Sequence, residues 1–241
     1  MRTGKFNDEV VEIKNLKQSV YLMPGMAADP RIFEYLSFPE ELDINWLSWK
    51  IPNKNESLED YAARMCEDID HPEPILVGVS FGGVLVQEMS KIIKTEKIII
   101  ISSVKTHYEL PPRMKFARYT GIYKYIPTGF LDYIYQIERL PVGNFIKKRI
   151  QLYKTYLSVN DKEYLDWSIK NIVCWQQEIA PENLIHIHGD QDLVFPIRYI
   201  SNCITVKGGT HIMILNRFRW FNDHLINFLK ENTTKTEKTI S

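Results

Sequence analysis

The sequence predicts an α/β fold: a mostly parallel sheet with helices on both faces and a helical cap insertion. Three observations point to it. Short β-branched runs recur along the chain, several of them apolar at consecutive positions, as strands covered on both faces are. Segments of helical spacing separate these runs. The alternation breaks only between about Val104 and Glu182, a stretch with no clear strand and many aromatic residues.

Val20-Tyr21-Leu22 is the first predicted strand, and Asp29-Pro30-Arg31 opens a helix with Pro30 at its first position. Ile44-Asn45-Trp46-Leu47 is the second strand. Ser57, followed by Glu59 and Asp60, forms an N-cap with an acidic first turn for a helix running through Met65 toward Ile69. Ile75-Leu76-Val77-Gly78-Val79 is the third strand, Phe81 to Ile93 a helix, and Ile98-Ile99-Ile100-Ile101 the fourth strand. Pro111-Pro112, Pro127 and Pro141 divide the insertion into pieces of helical length. Leu184-Ile185-His186-Ile187 and Ile204-Thr205-Val206 complete the strands, and Phe218, Phe221, Leu225, Ile226 and Leu229 mark a closing amphipathic helix. The expected division is a core of residues 1–103 and 183–230, a helical cap of 104–182, and a frayed polar tail of 231–241.

Of 241 residues, 44% are apolar and 25% charged, enough to bury a core without staples. Thirty basic residues balance thirty acidic ones, so no overall field points to nucleic acid. Within 104–160, however, ten Lys or Arg face three acids, most densely at Lys147-Lys148-Arg149. A solvated helix face explains that surplus, and so does a cap that draws in anionic substrates. Cys66, Cys174 and Cys203 are odd in number and far apart, which argues against a disulfide framework and a zinc cage. Met1 to Lys17 lacks the apolar run of a signal peptide, and no run approaches membrane-spanning length. A reduced, cytoplasmic setting is the expectation.

The most informative segment is Gly78-Val79-Ser80-Phe81-Gly82, a G-x-S-x-G between strand and helix. Such a turn forces Ser80 into a strained conformation that exposes its hydroxyl, and the helix beneath directs free N–H groups toward an oxyanion. A serine needs a base, and the base an orienting acid. Two loops after later strands supply them: His188-Gly189-Asp190-Gln191-Asp192, and Gly208-Gly209-Thr210-His211. Both lie at the C-terminal ends of strands, where parallel sheets place their sites.

These residues, in the order Ser, Asp, His, make the chain resemble the α/β-hydrolase family over nearly its whole length, with the aromatic insertion where that family carries its cap. The resemblance implies a catalytic triad of Ser80, Asp192 and His211. Gly189, Asp192 and Pro196 match the spacing of the family's acid loop, which leaves Asp190 as the near miss. It also implies an oxyanion hole made of the Phe81 and Met26 backbone N–H groups, the second from the turn Met23-Pro24-Gly25-Met26. Pro24 replaces the histidine usual there, which bears on how that turn is held. The implied activity is serine hydrolysis of a small carboxylic ester or related acyl bond, with a thioester or a C–C bond beside a ketone as alternatives. Serine rather than aspartate at the elbow argues against haloalkane dehalogenase or epoxide hydrolase chemistry.

A different class of reading keeps the fold without the chemistry, as a small-molecule receptor or signalling protein. His186-Ile187-His188-Gly189-Asp190 also spells H-x-H-x-D, like part of a metallo-β-lactamase zinc motif, but Gln191 stands where an adjacent histidine is required. No dinucleotide fingerprint is present, and neither cofactor nor metal is expected.

Overall fold

The computed structural model describes residues 17–125 and 155–230. Strands β1 (Gln18–Met23), β2 (Leu42–Trp46), β3 (Ile75–Val79), β4 (Lys97–Ile101), β5 (Leu184–Gly189) and β6 (Ile204–Val206) form one sheet in the order β2-β1-β3-β4-β5-β6. All five neighbouring pairs are parallel. The chain therefore runs outward from β1 to β2, returns past β1 to β3, and continues in the opposite direction. That reversal places a crevice between the ends of β1 and β3, the usual location of a site in such sheets.

Among the described residues six helices accompany the strands: α1 (Leu58–Cys66), α2 (Phe81–Met89), α3 (Pro112–Thr120), α4 (Lys162–Cys174), α5 (Met213–Asn216) and α6 (Phe218–Lys230). Successive strand residues point to opposite faces, and here both faces are apolar. Val20, Leu22, Ile75, Val77, Ile99 and Ile101 pack with Phe221, Leu225, Phe228 and Leu229 of α6. Tyr21, Met23, Leu76, Ile98 and Ile100 pack instead with α1, α2 and α4. The Lys97 ammonium, buried at the start of β4, donates to the Phe228 and Leu229 carbonyls (2.8 and 2.9 Å) and closes the C-terminal end of α6 onto the sheet.

Local signals act as their chemistry requires. The Ser57 hydroxyl accepts from the Asp60 N–H at 3.0 Å, capping α1. Asp29 caps a short 3-10 helix at Pro30–Phe33 in the same way. Two helices end earlier than their apolar spacing predicts. Beyond Cys66 and Met89 the N–H groups of Asp68, Ile69, Lys91 and Ile92 reach back three residues rather than four, so the chain unwinds into tight turns. Apolar residues continue past those points because the turns remain packed on the core, and their spacing alone does not mark the stop.

Among the described residues the insertion contains no strand. Its helix α4 contributes Tyr164, Leu165, Trp167, Ile172 and Val173 to the same buried cluster as α1 and α2. Pro127, Pro141 and Lys147-Lys148-Arg149 lie outside the described residues, as do residues 1–16 and the tail 231–241. Several described cations of the insertion bond to protein acceptors. Lys105 is buried and pairs with Glu109 and the Ser201 and Asn202 carbonyls. Arg113 donates to the Leu193 and Val194 carbonyls, and Lys115 to that of Tyr108. No helix among the described residues is long and apolar enough to cross a membrane.

Candidate active site

Ser80 sits at the tip of the turn from β3 into α2 with φ 54° and ψ −122°, a region that non-glycine residues rarely occupy. Surrounding bonds hold it there. Its N–H donates to the Ile101 carbonyl (2.9 Å), and its carbonyl accepts from the Gly83 N–H (2.9 Å) and the Ser103 hydroxyl (2.7 Å). The turn closes so tightly that a Cβ on Gly78 would collide with the Gly82 carbonyl, and one on Gly82 with the Pro24 carbonyl. Glycine is required at both flanks of the serine for this reason.

The Ser80 hydroxyl lies 2.9 Å from Nε2 of His211, and Nδ1 of His211 lies 2.9 Å from Oδ2 of Asp192. A carboxylate only accepts, so Nδ1 carries the ring proton and Nε2 is left as the acceptor for the serine hydroxyl. The other carboxylate oxygen accepts from the N–H groups of Val194 (2.7 Å) and Phe195 (2.9 Å). The Asp192 side chain is fully buried, whereas that of His211 is 23% exposed, so the base is reachable and the acid is not. Burial pulls the Asp192 carboxyl upward. The hydrogen bond and charge of His211, with the Phe195 N–H, outweigh it and hold the pKa below the ordinary carboxylate value. Glycine brings the two loops together, since a Cβ on Gly189 would strike the Gly209 carbonyl. Asp190 turns away and accepts from the Gly208 N–H at 2.7 Å.

The turn after β1 lies against this serine. A Cβ added to Gly25 would sit 3.3 Å from that of Ser80. Among the described residues, neither the Met26 N–H nor the Phe81 N–H is engaged by a protein acceptor. Sequence reasoning missed the side chains that hold this turn, Trp49 and Tyr164. The Trp49 indole donates to the Gly25 carbonyl (2.8 Å), and the Tyr164 hydroxyl accepts from the Ala27 N–H (3.2 Å). The only available signal for Trp49 was an aromatic residue just beyond the C-terminal end of β2. Tyr164 is 137 residues from its partner and gives no local signal.

His186 and His188 do share a face of β5, and they bond to each other. Nε2 of His188 donates to the Phe195 carbonyl (2.8 Å), and its Nδ1 faces Nε2 of His186 at 3.2 Å. Among the described residues no group of three or more His, Cys, Asp or Glu is arranged to hold a metal ion. Burial, followed by the neighbouring His188 and Lys105, pushes His186 well below the ordinary histidine value. Burial also lowers His188, against the opposing pull of the Phe195 carbonyl and Asp192. An unfolded chain protonates these rings below about pH 6.5, the folded chain only at lower pH. The contribution of these two rings to stability is thus complete above about pH 6.5 and declines below it, by up to ~1.4 kcal/mol per pH unit per histidine. Urea midpoints are expected to fall between pH 7.5 and 5, and less steeply in His186→Leu. Midpoints that do not move with pH in the wild-type protein would contradict this.

No family model matches the sequence, and no curated protein does. Solved structures match its shape. The bromoperoxidase from Bacillus anthracis superposes with a TM-score of 0.64 at 17% identity, covering 90% of this chain and 93% of that one. The enol-lactonase from Burkholderia xenovorans LB400 gives 0.64 at 13% identity, covering 90% and 92%. The chain has the α/β-hydrolase fold. A thermophilic esterase from Thermogutta terrifontis, with a TM-score of 0.59 at 15% identity over 90% and 91% of the two chains, agrees. At such identities the likeness speaks for the α/β-hydrolase fold alone, and the activities in those names belong to those proteins.

Proposed function

We propose that this protein is a serine hydrolase that cleaves a small carboxylic ester, or a related acyl bond, through an acyl-enzyme on Ser80. The observation that carries the reading is the unbroken hydrogen-bonded line from Ser80 through His211 to buried Asp192, at a strained strand-to-helix turn. In this reading His211 Nε2 takes the Ser80 proton as the oxygen attacks the carbonyl carbon. The developing oxyanion is held by the Met26 and Phe81 N–H groups, and Asp192 stabilises the imidazolium. His211 then returns the proton to the departing alcohol. A water activated by the same ring next releases the acid. The reaction written this way needs no cofactor. That two of the structural neighbours are named as an esterase and a lactonase is consistent with an ester bond as substrate.

Residues 104–182 serve in this proposal as the cap. Arg113, at the start of α3, bonds to the carbonyls of Leu193 and Val194, the residues directly after the proposed acid. The expected result with a fluorophosphonate probe is labelling of Ser80 at one equivalent, blocked by boiling. A panel of p-nitrophenyl esters of increasing chain length, alongside a thioester and a β-diketone, then ranks the bond types. Labelling with no turnover of any member would favour the receptor reading. No labelling at all would sink the hydrolase.

A further inference from the structure

We propose that Trp49, from the loop after β2, and Tyr164, from the insertion, are positioning residues that fix the direction of the Met26 N–H in the oxyanion hole. The inference rests on the hydrolase reading above. A trans peptide is a rigid plane whose carbonyl and N–H point in opposite directions. The Met26 N–H belongs to the same plane as the Gly25 carbonyl. By donating to that carbonyl at 2.8 Å, the Trp49 indole holds the far side of the plane and aims the N–H away from itself. Rotation of the peptide would break this bond and the one from the Ala28 N–H (3.0 Å).

The next plane is held as well. Ala27 has φ 64°, a left-handed conformation unusual for alanine. Its N–H donates to the Tyr164 hydroxyl and its carbonyl accepts from the Val159 N–H (3.0 Å), both partners coming from the insertion. Tyr164 is fully buried, and burial raises its phenol far above the working range, so it remains a neutral acceptor. The Trp49 ring also stacks on Phe81, the residue bearing the second donor, with centroids 5.2 Å apart and planes 8° from parallel. One side chain therefore touches both halves of the hole, and Tyr164 lies against it at 5.3 Å. Where the resemblance implies a histidine, Pro24 has no comparable side-chain donor, and the turn is held from outside instead.

Trp49→Phe keeps the stacked ring and removes only the indole N–H; Tyr164→Phe removes only the hydroxyl. Trp49→Phe is expected to lower kcat roughly 10-fold to 100-fold with KM within about twofold, since a misaimed donor loses part of an oxyanion contact. Affinity for a trifluoromethyl ketone, whose adduct with serine carries the oxyanion, should weaken by a similar factor. Tyr164→Phe should show the same pattern at a smaller size, on the order of 3-fold to 10-fold. A merely structural role would lower the thermal midpoint and leave the ketone affinity of the folded fraction unchanged. Active wild type with both variants unchanged in kcat and ketone affinity overturns this proposal alone. A wild type that neither binds the ketone nor hydrolyses any ester overturns the hydrolase reading, and this proposal with it.

Discussion

Ser80→Ala and His211→Ala should each reduce ester turnover by roughly 10⁴-fold or more, and the double variant should be little worse than either single one. The expectation follows from geometry. Among the described residues the Ser80 hydroxyl has one acceptor, at 2.9 Å, and that acceptor is a nitrogen whose availability is fixed by Asp192 on the opposite side of the ring. Removing the nucleophile leaves His211 without a proton to take, and removing His211 leaves a hydroxyl with no base. The two act as a unit, so their losses do not add. Burst kinetics on the best ester of the panel, with each variant's folding checked by its thermal midpoint, provide the measurement. Wild-type turnover in folded Ser80→Ala would exclude the proposed mechanism.

The second large effect separates two aspartates only two residues apart. Asp192→Asn should cost about 10⁴-fold in kcat, because an amide can donate toward Nδ1 and so favour the tautomer with its proton on Nε2. That tautomer cannot accept from Ser80. Asp190→Asn should cost less than about threefold, since its contact is an oxygen accepting from the Gly208 N–H and asparagine keeps such an oxygen. The comparison is made at fixed pH with both proteins shown to be folded. The reverse order, with Asp190→Asn inactive and Asp192→Asn retained, would mean that the acid has been misassigned.

Much of the fold was legible because a parallel sheet covered on both faces needs apolar residues at consecutive positions, and Ile75 to Val79 and Ile98 to Ile101 have them. At the sheet's ends β6 was read with its bounds, Ile204 to Val206, and β2 less sharply. β2 begins at Leu42, two residues before its apolar run, because backbone pairing with β1 continues through a half-exposed segment where side chains give no warning. The positions of Ser80, Asp192 and His211 could be proposed because each lies in a glycine-flanked turn at a strand end, where close backbone approach restricts residue choice. Trp49 and Tyr164 carry no such mark. Their bonds join distant segments to a turn, and nothing in the spacing of aromatic residues distinguishes a ring that fills space from one that aims a peptide.

The span between Ser80 and His211 has a further consequence in time. They are 131 residues apart in the chain, yet their side chains touch. At roughly 5–20 residues per second, a ribosome needs roughly 7–26 s to pass from one to the other. Throughout that interval the growing chain carries the serine turn without its base; Asp192 and β6 are made only near its end, and α6 after it. The complete line of bonds therefore cannot exist before His211 has been made. By then β6, the last strand, is already part of the chain.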